Sequence, residues 1–303
     1  VGTPGHLGID VGGTKVAFRV EAGSECVEET SFAWGARHSA QEDLAQLAGH
    51  VARLRERLDV PLEAVGVAMP GTVGPDGRIT TWPSRPEWTG VDLKTALHEL
   101  FPEAAIAWAD DGDLGALAEA RASGCENLLY IGIGTGIGGG LVLGGVPCPG
   151  LGRGSFEIGH LIVEMGGVRC VCGRRGCLQT LASGPATLRR ASLLRGADVS
   201  FPALQRALHH GEPWAADALE GTTRALAAAV TGVQELVHPD RALIGGGFAA
   251  GIPEIVPSVA GHLAEFVRQG QTPVPVEPAA LGGLSSLRGA VALAGLVAGG
   301  AAL

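Results

Sequence analysis

Short apolar runs alternate with stretches of helical periodicity along this chain. Leu7-Gly8-Ile9-Asp10 is an apolar run that ends in a carboxylate. It passes through Val11-Gly12-Gly13-Thr14-Lys15 and resumes as Val16-Ala17-Phe18-Arg19-Val20, so strand, tight turn and strand are predicted. From Gln41 to Leu58, the residues Leu44, Leu47, Val51, Leu54 and Leu58 recur at helical spacing among charges, which predicts an amphipathic surface helix. Val65-Gly66-Val67-Ala68-Met69-Pro70-Gly71 reads as a buried strand stopped by Pro-Gly. The stretch 72–88 reads as a loop with a turn at Asp76-Gly77, 92–100 as a helix, 104–108 as a strand and 114–123 as a helix. Asn127 to Ile133 is apolar and meets Gly134-Thr135-Gly136-Ile137-Gly138-Gly139-Gly140, with a second strand at 141–143. Downstream come helices, of which 222–237 is the clearest. A strand at 241–244 then runs into Gly245-Gly246-Gly247, and a C-terminal helix starts near Ser286. Strands alternating with helices place the chain in the α/β class.

The strand, glycine turn and strand design occurs twice, about 120 residues apart. Two copies of one device point to a duplicated fold; two unrelated glycine turns are the weaker alternative. Such hairpin tips expose backbone N–H groups that cradle phosphate, and glycine permits the close approach. Asp10, just before the first tip, is placed to hold Mg²⁺ through water. Asp110, Asp111 and Asp113 follow the predicted 104–108 strand at a helix start, where they either cap the helix or supply catalytic carboxylates. The segment Gly154–Ser183 carries Glu157, His160, Cys170, Cys172 and Cys177 in the order His-x9-Cys-x-Cys-x4-Cys. Three thiols and an imidazole are the donors a tetrahedral structural zinc prefers, and Gly173 and Gly176 supply the tight turns of a metal-wrapping loop.

Composition narrows the partners. With 46% hydrophobic and 17% charged residues among 303, a large core is expected and disorder is not. The net charge of −9 argues against nucleic acid or an anionic membrane as the main partner. Cys26, Cys125 and Cys148 show no framework spacing, so a reducing cytoplasmic setting is expected. The stretch 1–6 does not read as a leader, and the apolar run 289–303 is shorter than the ~20 residues of a spanning helix.

Phosphate hairpins, a magnesium-placed Asp10 and a carboxylate at a strand end are the parts that phosphoryl transfer to an alcohol requires. The glycine turns join strand to strand, whereas a dinucleotide fingerprint joins strand to helix. These residues resemble the ROK family of repressors and sugar kinases, especially its bacterial glucokinases, over nearly the whole chain. Asp10-Val-Gly-Gly-Thr-Lys15 and Gly134-Thr-Gly-Ile-Gly-Gly-Gly140 are similar to its two phosphate motifs, and Ala242-Leu-Ile-Gly-Gly-Gly247 to its adenosine motif. Glu157-Ile-Gly-His160 with Cys170-Val-Cys-Gly-Arg-Arg-Gly-Cys177 is similar to its signature and zinc site. The resemblance implies a duplicated α/β fold of the actin-like ATPase (ribonuclease H-like) type, two domains around a cleft. The smaller domain would span 1–110 with a returning helix at about 288–303, and the larger 111–287. It implies ATP, Mg²⁺ and structural Zn²⁺, and a homodimer or homotetramer. Asp111 carries over as general base. Gly71, Ser84, Asp110, Glu157, His160 and Gln179 carry over as acceptor contacts, with Asp10, Gly12, Gly13, Thr14, Lys15, Gly134, Thr135, Gly136, Gly245, Gly246 and Gly247 on the nucleotide side. His160, Cys170, Cys172 and Cys177 carry over as zinc ligands.

Three positions depart from the glucokinase pattern. Asp110 replaces an Asn, Ser84 replaces the Asn of Pro-Asn, and Gln179 replaces a Glu. An ionised Asp only accepts hydrogen bonds, while Asn also donates. The expected acceptor is therefore a hexose-like polyol other than glucose, such as a valiolone-type C7-cyclitol with a primary hydroxyl. Ordinary glucokinase activity is the alternative. A sugar-responsive repressor would need a DNA-binding domain ahead of Asp10 and would have no need of the phosphate motif and base, while a non-catalytic sugar-binding protein stays open as a third reading because three acceptor contacts differ.

Overall fold

The structure is a computed structural model in which residues 3–35, 39–150 and 153–300 are described, so the last residues of the expected C-terminal helix lie outside it. The chain divides into two compact units. The first takes the described residues up to Ala118, those of Pro147–Ser155 and those from Leu284 on; the second takes Glu119–Val146 and Phe156–Gly283.

In the first unit β1 (Gly5–Val11), β2 (Lys15–Ala22) and β3 (Glu25–Ala33) form an antiparallel meander. After α1 (Ala40–Arg57), β4 (Leu62–Ala68) pairs parallel to β1. The short β5 (Thr72–Val73) and β6 (Ile79–Thr81) make a separate ribbon within the stretch expected as loop. α2 (Leu93–Leu100), β7 (Ala105–Ala109) and α3 (Asp111–Ser123) follow, giving the sheet order β3-β2-β1-β4-β7. Helix starts are chemically marked: Ser39 and Glu42 form a capping box on α1, and Asp92 accepts from Thr95 N–H at α2. The strand β3 escapes periodicity because its residues are exposed or half-buried throughout, which removes the apolar alternation.

The second unit repeats this plan. Its sheet is built from β8 (Leu128–Ile133), β9 (Ile137–Leu143) and β10 (Val146–Cys148). After α4 (Leu178–Ala182), α5 (Gly184–Arg195), α6 (Phe201–His209) and α7 (Pro213–Val237) comes β11 (Arg241–Gly245), and after α8 (Gly247–Ala250) and α9 (Ile255–Phe266) comes β12 (Val276–Pro278). The order β10-β9-β8-β11-β12 matches the first sheet position by position, with β8 antiparallel to β9 and parallel to β11. The expected turn 134–140 is shorter than predicted, since β9 starts at Ile137 and takes up Gly138, Gly139 and Gly140. Gly139 is in the strand for packing reasons: a Cβ there would lie 2.4 Å from the Tyr130 carbonyl oxygen and 2.8 Å from Ile158.

The C-terminal helix α10 (Ser285–Ala298) lies against β1, β4 and β7 of the first unit. Glycines set how closely it lies. A Cβ on Gly66 would fall 2.0 Å from the Ala290 carbonyl oxygen, and one on Gly8 would meet Val291 and the Leu287 carbonyl. Its face of Leu287, Ala290 and Leu293 is buried. On the same unit Leu7, Ile9, Phe18, Val65, Val67, Trp82 and Trp88 form the main core. Among the described residues no helix is long and apolar enough to cross a membrane.

Candidate active site

In the first unit β1, β4 and β7 run parallel, with Asp10 opposite Ala68 and Ala68 opposite Ala109. Parallel pairing brings their C-terminal ends to one edge of the sheet, where ligand-binding groups collect in open α/β folds. That edge delivers Asp10, the segment from Met69 to Gly71, and Asp110 with Asp111. Asp110 caps α3, its Oδ1 accepting from the Gly112 N–H at 2.9 Å. Ser286 Oγ donates to the Asp111 carbonyl at 3.1 Å, which ties the start of α3 to α10. Capping and a position among carboxylates therefore coexist at this helix start. Asp10 is pushed up from its ordinary 3.8 to about 6, first by burial and then by the charge of Asp111, with Lys15 opposing both.

The hairpin tip between β1 and β2 is closed by a bond from Gly12 N–H to the Lys15 carbonyl at 2.9 Å. Ser84 abuts this tip, since a Cβ on Gly13 would sit 2.7 Å from the Ser84 Oγ. Gly71 lies under the same loop, where a Cβ would meet the Thr81 carbonyl at 2.8 Å and Trp82 at 3.2 Å. The first unit thus gathers Asp10, Gly12, Gly13, Thr14, Lys15, Gly71, Ser84, Asp110 and Asp111 around one end of its sheet.

In the second unit the corresponding tip is closed by Gly134 N–H on the Gly136 carbonyl at 3.0 Å, with Thr135 exposed between them. The Gly134 carbonyl accepts from Gly184 N–H at 2.9 Å, so the start of α5 holds the tip. Gly245 ends β11. Gly246 then takes φ +85, and a Cβ there would lie 2.5 Å from the Ile133 backbone, while Gly247 opens onto free space. Glycine is required at Gly246 on both counts. Glu157 precedes a single 3-10 turn, Ile158–His160, that Gly159 lets rest on β9; a Cβ on Gly159 would be 2.0 Å from the Ile137 carbonyl oxygen.

The four residues expected to bind zinc converge. One donor atom each from His160, Cys170, Cys172 and Cys177 lies within 4.8 Å of all the others. Cys172 Sγ is 3.6 Å from Cys177 Sγ, and Cys170 Sγ is 3.7 Å from His160 Nδ1. A tetrahedron with zinc–sulfur bonds of about 2.3 Å has sulfur–sulfur edges of about 3.8 Å, so the donor set fits zinc. Nδ1 faces the cluster, which leaves Nε2 for another partner. The backbone N–H and the guanidinium of Arg174 hold the Cys172 thiol down to about 6, while burial pushes the Cys177 thiol up to about 12. Gln179 joins this group: its Nε2 donates to Cys170 Sγ at 3.1 Å and its Oε1 lies against Gly136. Gln179, expected to touch the acceptor, thus bonds a sulfur of the expected zinc set.

Sequence reasoning missed a buried group behind the first hairpin. Arg85 Nε donates to the Gly13 carbonyl at 3.1 Å and its Nη1 pairs with Asp43, while Trp34 Nε1 donates to the Gly12 carbonyl at 2.8 Å. The available signal was an Arg beside Ser84 in an otherwise uncharged Trp82-Pro-Ser-Arg-Pro86 run.

Comparison with known proteins agrees with this geometry. The model of the ROK family matches residues 6–296. A kanosamine kinase of Amycolatopsis mediterranei (strain S699) is 89% identical over 300 residues, which cover 99% of this chain and 99% of that protein. A glucokinase of Aeropyrum pernix is 31% identical over 67% of this chain and 70% of its own length. Among solved structures, a ROK hexokinase from Thermus thermophilus superposes with a TM-score of 0.86 at 30% identity, covering 96% of this chain and 98% of its own. The chain therefore belongs to the ROK family, and its two repeated α/β sheets are the actin-like ATPase fold of that family's sugar kinases.

Proposed function

We propose that this sugar kinase transfers the γ-phosphoryl group of ATP to the primary hydroxyl of kanosamine, the amino sugar in which an amine replaces the 3-hydroxyl of glucose. The observation that carries the reading is the 89% identity to a kanosamine kinase across 99% of both chains. The chemistry of Asp110 supports it. Where the glucokinase pattern has a neutral amide, this chain sets a second carboxylate beside Asp111, on an edge where Asp10 already titrates high. An ammonium gives that edge a charge-assisted partner, which hydroxyls do not. Glucose and a valiolone-type cyclitol carry no ammonium to offer Asp110 a charge-assisted hydrogen bond.

In this reading Asp111 accepts the proton of the attacking hydroxyl. Glu157 and His160 hold acceptor hydroxyls, and Ser84 and Gly71 shape the acceptor loop. The hairpin tips at Gly12–Lys15 and Gly134–Gly136 bind the phosphates of ATP through backbone N–H groups, while Gly245, Gly246 and Gly247 let the backbone approach the adenosine. Asp10 would hold Mg²⁺ through water; a buried carboxylate beside the charge of Asp111 fits that ion, whose chemistry is to neutralise phosphate charge. His160, Cys170, Cys172 and Cys177 would hold zinc, a structural brace that fixes the imidazole ring through Nδ1.

The test compares kcat/KM for kanosamine, glucose, mannose, N-acetylmannosamine and a valiolone-type cyclitol. Kanosamine is expected to lead by about 10²-fold, in line with sites built to pair a specific polar group. Asp110→Asn should narrow its lead over glucose by about tenfold, the worth of one hydrogen bond to a charged group. Glucose or the cyclitol matching kanosamine would sink the assignment.

A further inference from the structure

Behind the tip of the first hairpin lies an ion pair that the proposed chemistry does not use. Asp43, in the first turn of α1, is 1% exposed and Arg85 is 6% exposed. Asp43 Oδ2 takes the Arg85 Nη1 and also the Trp88 Nε1 at 2.8 Å. The Arg85 guanidinium lies over the Trp34 ring, 4.6 Å from its centroid. Burying two charges carries a heavy desolvation cost, and apolar residues of similar volume are often as stable in their place. Stability alone therefore gives no reason to keep the pair. Its outward contacts do.

Arg85 Nε donates to the Gly13 carbonyl at 3.1 Å, and Trp34 Nε1 donates to the Gly12 carbonyl at 2.8 Å. A planar trans peptide directs its C=O and its N–H to opposite sides. Drawing the Gly12 carbonyl toward Trp34 turns the N–H of Gly13 away from it. Drawing the Gly13 carbonyl toward Arg85 likewise turns the N–H of Thr14 away from the buried pair. Two consecutive N–H groups are thereby aimed by side chains at their backs, which is the making of an anion-binding concavity. We infer that Arg85, held by Asp43, is a positioning residue that presets the Gly12-Gly13-Thr14 tip for the phosphates of the nucleotide. Trp34 has the same task one peptide earlier. Because Ser84 immediately precedes Arg85 and touches Gly13, one loop carries both an acceptor residue and the brace of the phosphate tip.

The inference rests on the reading of this hairpin as a phosphate site, and the experiment separates the two. Binding of ATP with Mg²⁺ and of adenosine is measured by calorimetry on the full chain, for wild type, Arg85→Lys and the double variant Asp43→Leu with Arg85→Leu. The double variant removes both charges together, so it is expected to keep folding, and its melting temperature is recorded alongside. Wild type should prefer ATP over adenosine. The double variant should lose about tenfold or more of its ATP affinity, the loss of one or two hydrogen bonds to a charged group, with adenosine affinity unchanged. Arg85→Lys should fall between, because one ammonium replaces the guanidinium fork that serves Asp43 and the Gly13 carbonyl at once. ATP and adenosine weakening alike, or ATP affinity unchanged, would overturn the positioning role. A wild type without preference for ATP would overturn the phosphate reading and this inference with it.

Discussion

The two hairpins of this chain share a topology and differ in almost everything that holds them. Asp10 of β1 pairs with Ala17 on one side and Ala68 on the other; the residue in the same place of β8 is Gly132, paired with Gly138 and Gly245. A carboxylate in one copy is a glycine in the other. The first tip is braced by side chains, through Trp34 and the Asp43–Arg85 pair. The second is braced by backbone, through Gly184 N–H on the Gly134 carbonyl and the close approach of Gly246 to Ile133. The two sheets share one strand order, and their tips differ, one held by charge and one by close packing. In the proposed reading both tips bind phosphate, and the first unit also supplies the base.

The largest effect is expected at Asp111. If the first unit holds the base, Asp111→Ala should lower kcat by about 10²- to 10⁴-fold, the usual worth of a general base, while acceptor and ATP still bind by calorimetry. Retained turnover would move the chemistry elsewhere.

A smaller effect is expected from the second unit's brace. Purified protein should carry one zinc per chain by elemental analysis, and Cys177→Ser should lose it. The acceptor KM should rise about 10- to 100-fold, the usual loss when a group that orients a ligand is removed. Binding of ATP should change much less. A variant that loses zinc and keeps its acceptor KM would show that the metal does not orient His160.

The smallest effect tests the charge on the first hairpin. The Asp10 carboxyl titrates at about 6 in the folded chain against 3.8 ordinarily. Between those values the folded state binds more protons than the unfolded one, so Asp10 makes stability fall as pH rises from about 4 to about 6. Asp10→Asn removes that penalty. It should gain about 1–2 kcal/mol in denaturant unfolding above pH ~6.5, gain nothing below pH ~3.5, and bind Mg-ATP poorly throughout. Equal stability of the two proteins at high pH would mean that Asp10 is not strained. Substitution at the matching Gly132 carries no such pH signature.

Much of the site was legible in the chain itself, because its devices are local. A Gly-Gly tip between two apolar runs, a His and three Cys within one loop, and carboxylates at a helix start all act over a few residues. What escaped depends on distant partners. Asp43 and Arg85 are 42 residues apart in sequence, and Trp34 and Gly12 are 22 apart. The bond from the Gln179 amide to Cys170 Sγ is likewise set by how the loop folds. The stretch Gly138–Gly140 reads as part of a turn, although it lies in β9, since glycine serves close packing as readily as bending.

By itself the sequence determined the strand and helix alternation, the repeated glycine hairpin, the His and three Cys of one loop and the carboxylates at the end of β7. These follow from periodicity and short-range chemistry. Tertiary structure alone decided that the parallel register of β1, β4 and β7 gathers Asp10, Gly71 and Asp111 at one edge. It also decided that α10 closes over Gly8 and Gly66, and that a buried ion pair stands behind the first tip. Register, close approach and burial arise when segments far apart in the chain are packed together.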